Sequence, residues 1–130
     1  MIAADTNVIV RFIARDDTRQ AAIAGALISE RGVYVSNGVM METEWVLRSS
    51  FGWSRERVSD ALGKLLSLPT VAVDDPGAIG WALTRHAAGA DLADMLHLVA
   101  ARKTEGFATF DGALAADAGW DAPVGVETLR

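Results

Sequence analysis

The chain has 130 residues, 51% of them apolar, with seventeen acidic and twelve basic side chains and a net charge of −5. That length suits one domain burying a core without staples, and the negative charge argues against a protein that coats nucleic acid nonspecifically. The absence of cysteine excludes a disulfide framework and thiolate metal sites, and His86 and His97 are too few for most zinc centres, so any metal would be held through oxygen.

In chain order, residues 2–4 read as a short buried strand, and residues 8–14 as a helix that Thr6 or Asn7 could cap. Residues 19–30 form a second helix, ended by Arg31-Gly32, with a strand over 33–35. Residues 39–51 are helical up to Gly52, and Ser54 caps a further helix to about Leu66. Pro69 closes that region, 70–73 form a third strand, and Asp75 with Pro76 opens the next helix. Asp91 caps a helix through Lys103, Gly106 ends it, 107–110 form a fourth strand and 124–126 a fifth. Short apolar strands alternating with helices predict an α/β fold with a parallel sheet covered on both faces. In such sheets the site lies beyond the carboxyl ends of the strands. No apolar stretch approaches the roughly 18 residues of a membrane span, and MIAADTNVIV lacks a basic signal region, so a soluble cytoplasmic protein is expected.

Four separated carboxylates carry the chemistry. Asp5 and Asp111 directly follow predicted strands, and Glu42 and Asp94 lie on apolar helices; Asp5 could simply cap the helix that follows, a role that Thr6 and Asn7 would make redundant. Ionised carboxylates in apolar surroundings need a counter-charge, and Mg²⁺ or Mn²⁺, hard cations preferring oxygen, would serve all four. On its helix Glu42 shares a face with Val39, Trp45, Val46 and Ser49 and meets no base at i+3 or i+4, whereas Glu44 has Arg48 at i+4 and is explained as an ion pair. Glu42 is therefore the expected ligand, and the Met40, Met41 and Trp45 cluster reads as core. Asp91 with Asp94 resembles a capping pattern that suits Asp91 better, so Asp94, on a stripe with Ala90, His97, Leu98 and Ala101, is the expected ligand. Thr109 points to the same side as Asp111, whose simpler role would be to cap the short helix through Ala116; Asp117 is a weaker member of the cluster. Thr6, Asn7, Asp91, His97 and Thr109 are candidates for orienting a ligand, a water or a phosphate. Seven of the twelve basic residues fall in the first 57 positions and all are arginine, and Arg11, Arg15 and Arg48 are candidate phosphate contacts.

With the acids placed, the chain resembles the PIN-domain nucleases, and within them the VapC-type toxins of prokaryotic toxin–antitoxin pairs. The matching pieces are DTNVIVRF, METEWVLRSSFG, GADLADMLHLVAARKTEGFATFDGAL and VGVETL, in that order. By that similarity the family's acidic cluster falls on Asp5, Glu42, Asp94 and Asp111. The resemblance implies a single PIN-like domain over residues 1–130, a three-layer α/β/α architecture with a central five-stranded parallel sheet, and Mg²⁺ or Mn²⁺. It also implies endoribonuclease activity, a homodimer and a VapB-like antitoxin partner. Hydrolysis by a metal-activated water would leave a 5′-phosphate and a 3′-hydroxyl, without a histidine base. Single-stranded RNA is the expected substrate. Two other readings stand beside it: a non-catalytic PIN-like scaffold in which the acids serve as caps, and a receiver-type phosphoacceptor. The second would want an acidic pair after the first strand and a lysine near the last, which this chain lacks.

Overall fold

The computed structural model describes residues 1–130. It divides into two compact units, Met1–Pro76 and Gly77–Arg130.

The first unit opens with β1 (Ile2–Ala3) and α1 (Thr6–Ala14), followed by α2 (Thr18–Arg31), β2 (Val33–Tyr34), α3 (Asn37–Ser49), α4 (Arg55–Ser67) and β3 (Val71–Ala72). The strands pair in parallel in the order β1-β2-β3, with Ile2 opposite Val33 and Val33 opposite Val71. Strands of two residues offer few ladder bonds. Their pairing rests on the apolar faces that α1, α2, α3 and α4 bury: Ile9, Val10, Ile28, Met40, Leu47, Val58, Leu62 and Leu65 all lie in the core. Helix α1 packs on α2 and α3, α3 on α4, and α4 on β3.

Side-chain caps set the starts of these helices. Asp17, Ser36 and Ser54 each accept a hydrogen bond from the amide three residues on, satisfying a donor that the helix leaves unpaired. Ser54→Ala is expected to lower the stability of the fold by about 1 kcal/mol, read as a shift in the urea midpoint at unchanged slope. Gly32 ends α2 with φ at 73°, and a Cβ there would sit 3.1 Å from the Thr70 carbonyl oxygen, where the chain enters β2 beside β3. Only glycine meets both demands at low cost.

The second unit contains α5 (Pro76–Ala87, its first residue shared with the preceding unit), α6 (Leu92–Ala100), β4 (Phe107–Thr109), α7 (Leu114–Ala118) and β5 (Val126–Thr128). Strand β4 pairs in parallel with β5, Phe107 opposite Val126 and Thr109 opposite Thr128. Helix α6 is buried along Leu92, Met95, Leu96, Leu98 and Val99. Arg85, near the end of α5, donates to the Asp117 carbonyl at 2.7 Å, so its guanidinium satisfies a carbonyl at the negative end of α7.

The expected single five-stranded sheet is corrected: five parallel-paired strands form, but as a three-stranded and a two-stranded sheet. Most of the structure is helical. Strands of two or three residues reach few partners, so the sequence rule that locates strands does not fix how many share one ladder. The last strand also lies two residues later than its apolar run suggests, and residues 101–103 leave the α6 helix, whose cap at Ala101 already departs from helical geometry.

Candidate active site

In the first unit, Ala4 extends the β1 pairing by donating its amide to the Tyr34 carbonyl at 3.0 Å, which puts Asp5 at the carboxyl end of the strand. Asp5 itself caps α1. Its backbone is extended and its Oδ1 accepts from the Val8 amide at 3.1 Å, so the expectation that Thr6 or Asn7 would cap is overturned; Thr6 already belongs to the helix. The cap uses Oδ1 and leaves Oδ2 without a protein partner in an exposed position. A second strand-end acid, Asp74, is occupied differently: Tyr34 donates its hydroxyl to it at 2.9 Å, and that bond holds the phenol above its usual pKa.

Helix α3 reverses the physical argument made for its two glutamates. Glu42 is exposed, and Trp45 beside it is 57% exposed rather than core, so a charge at Glu42 faces water and needs no partner. Glu44 is the buried one, 5% exposed, and Arg48 donates to both of its oxygens, Nε at 2.9 Å and Nη2 at 3.3 Å. The predicted i,i+4 pair is present, but it lies on the inner side of the helix with Thr43 and Leu47. The case for Glu42 as a ligand therefore rests on its place in the METEWVLR segment and no longer on burial.

The second unit gathers acids around the start of α6. Asp91 caps the helix as predicted, its Oδ2 accepting from the Asp94 amide at 3.1 Å. Asp94 is half-buried in the first turn. Its pKa is raised above the ordinary carboxyl value, first by burial and then by the negative charges of Asp91, Asp111 and Asp117, with His97 opposing. A helix N-terminus alone would favour the charged form, so burial and like-charge repulsion outweigh the dipole here. Asp111 follows β4 and does not cap α7, whose cap position is Ala113 with no side-chain bond. Instead it closes a local turn. Its Oδ1 accepts from the Ala113 amide at 2.9 Å, and its own amide donates to the Thr109 hydroxyl at 2.9 Å. Thr109 thus fixes the Asp111 backbone, and Arg85 at the end of α7 anchors the helix that carries Asp117.

The donor set is entirely oxygen, apart from the exposed His97. Within neither unit do three carboxylates or imidazoles converge closely enough to hold an ion by themselves. Mg²⁺ does not ask for that, since it is commonly bound by one or two carboxylates, several waters and substrate phosphate. A bound cation would relieve the like-charge repulsion between Asp94 and its acidic neighbours, so Asp94 and Asp111 suit such an ion.

The arginines divide by partner. Arg11 is tied to Asp16 at 2.8 Å and to Gln20 at 2.8 Å, and Arg48 to Glu44. Arg15 ends α1 in the left-handed region with φ at 55°, and is exposed. Sequence reasoning passed over Arg19 and Gln20, which with Asp5, Asn7 and Arg11 line a groove between α1 and α2. The signal that could have found Arg19 is a cation in the first turn of a helix, against the dipole, with no acid in that turn.

The family model described as "PIN domain" matches residues 2–118. No curated protein and no solved structure matches the chain.

Proposed function

Because the chain belongs to the PIN-domain family, which is generally a nuclease fold, we propose that it is a metal-dependent endoribonuclease acting as the toxin of a VapBC-type toxin–antitoxin system. The observation that carries the reading is the arrangement of acids at the start of α6 and after β4, where Asp91 caps the turn that carries Asp94 and Thr109 fixes the turn that carries Asp111; burial and the charges of Asp91, Asp111 and Asp117 hold Asp94 above its ordinary pKa. A carboxyl group whose pKa is pushed up by burial and by like charges is a recurrent mark of functional sites.

In this reading Asp5, Glu42, Asp94 and Asp111 serve as ligands of Mg²⁺ or Mn²⁺, the role that the family resemblance gives them. Bound there, the ion supplies Lewis-acid stabilisation of phosphate charge and acidifies a water. Asp91 fixes the first turn that carries Asp94, and Thr109 fixes the turn that carries Asp111, so both carboxylates are oriented in advance. The open oxygen of Asp5 remains available at its strand end. Neutralising the acids also lets an anionic RNA approach a chain of net charge −5. The substrate is single-stranded RNA, the products carry 5′-phosphate and 3′-hydroxyl ends, and the partners are a VapB-like antitoxin and a second copy of the chain. No helix is long and apolar enough to cross a membrane. The PIN match leaves no place for the receiver alternative.

The test is incubation of purified protein with end-labelled total RNA, with Mg²⁺ or with EDTA, alongside Asp5→Asn. Cleavage that requires the metal and fails in the variant is the expected result. Metal-independent fragments, or 2′,3′-cyclic phosphate ends, would remove the proposed mechanism, and no cleavage by antitoxin-free protein would turn the reading to a binding scaffold.

A further inference from the structure

The groove between α1 and α2 has a volume of about 380 Å³, an apolar floor that includes Ile23 and Leu27, and Asp5 in its wall. Ile23 is 54% exposed, an apolar side chain left open on a helix whose neighbours Ala24 and Ile28 are buried. The polar rim is unevenly equipped. Gln20 gives its side-chain carbonyl to Arg11 Nε at 2.8 Å, which leaves its amide N–H groups as free donors. Arg19 has no ion pair or side-chain hydrogen bond although it sits at the positive end of α2, where a cation is disfavoured. Asn7 and the open oxygen of Asp5 add side-chain acceptors to the rim.

We infer that this groove receives the base of an unpaired nucleotide next to the scissile phosphate, and that its donor-rich rim selects a base edge rich in acceptors, guanine O6 and N7. The assignment rests on the nuclease reading above, because a groove that shares a wall with a catalytic carboxylate necessarily adjoins the substrate strand. Splayed bases stacked on side chains with their edges hydrogen-bonded are the usual mode of single-stranded RNA recognition, and arginine pairs bidentately with guanine O6 and N7, the commonest specific contact in the major groove of DNA. A peptide strand fits less well, since its backbone presents donors and acceptors in equal number to a rim that mainly donates.

The test uses the full chain as wild type, Arg19→Gln and Ile23→Trp. Sites of cleavage are sequenced from a randomised single-stranded RNA in Mg²⁺, and binding of short labelled RNAs with and without guanine is measured in Ca²⁺. The wild type is expected to cut beside guanine and to bind guanine-containing RNA preferentially. Arg19→Gln should reduce that preference about tenfold, and Ile23→Trp, which fills the floor, should weaken binding of every RNA tested. Arg19→Gln alters an exposed side chain and keeps the test valid if the tryptophan variant does not fold. Unchanged cut sites and affinities in Arg19→Gln would overturn the inference, including the case in which the variants disturb only the capture of a protein partner. If the wild type cuts nothing, the nuclease reading falls, while a guanine preference in binding that Arg19→Gln removes would still support the groove; no binding, or equal binding, would overturn it.

Discussion

Asp94→Asn is expected to lower Mg²⁺-dependent RNA cleavage by more than about 100-fold, the upper range for losing a group that merely supports a metal ligand. The same substitution should leave the fold intact and raise the melting temperature of the metal-free protein. The reason is electrostatic. The carboxylate of Asp94 is partly buried and faces Asp91, Asp111 and Asp117, so its charged form is worse off in the native state than in the unfolded chain. Its native pKa therefore lies above its unfolded pKa, and between the two the native state binds more protons. Linkage then requires the contribution of this group to stability to fall as pH rises through that window, and to be regained as pH falls from the native to the unfolded value. Metal-free wild type should thus gain stability on mild acidification relative to Asp94→Asn, which lacks the titration. Added Mg²⁺ should reverse the order, stabilising the wild type by mass action and the variant little. Thermal melts of both proteins across pH, with and without Mg²⁺, measure all of this. A wild type that melts identically with and without Mg²⁺ would count against Asp94 as a ligand.

The second large effect separates the two glutamates of α3. Glu42→Gln should reduce cleavage by more than about 100-fold while leaving stability unchanged within about 0.5 kcal/mol, because an exposed carboxylate facing water contributes little to folding. Arg48→Ala should do the opposite. It would remove two charge-assisted hydrogen bonds from the Glu44 carboxylate, 5% exposed, and cost about 1–3 kcal/mol. The cost lies below that of a fully buried pair because the Arg48 side chain is itself 43% exposed. Its effect on cleavage should be confined to lost stability, recovered at lower temperature. Denaturant melts beside initial rates decide the matter. Loss of activity in Glu44→Gln with retention in Glu42→Gln would transfer the ligand role to the buried residue.

Much of the local structure was legible from residue types whose effect is local. Ser54, Asp91 and the Gly32 turn each act within one helical turn, so their roles follow from sequence position. Asp5 lies at the strand end as expected, and its capping role, set aside in favour of Thr6 or Asn7, is the one it has, because all three have capping side chains and only the backbone path chose among them. For Trp45 and Glu42 the face was assigned correctly but its direction was not. Helical periodicity says which residues share a side, and both do, yet it cannot say whether that side is turned to the core or to solvent when each side carries apolar residues. The partners of Arg11 were not legible for a related reason: Asp16 and Gln20 lie across a turn, beyond the i+3 and i+4 neighbours that a helix reading considers.

By itself the sequence determined the alternation of strands and helices, the oxygen-only chemistry left by a chain without cysteine, and the family membership over residues 2–118. These depend on composition and on spacing along one chain. The tertiary structure alone decided that the strands divide into three and two, that Glu44 rather than Glu42 is buried, and that Asp94 feels Asp91, Asp111 and Asp117 together. Burial and electrostatic coupling arise from neighbours brought close by folding, and a separation of seventeen positions between Asp94 and Asp111 carries no record of their proximity.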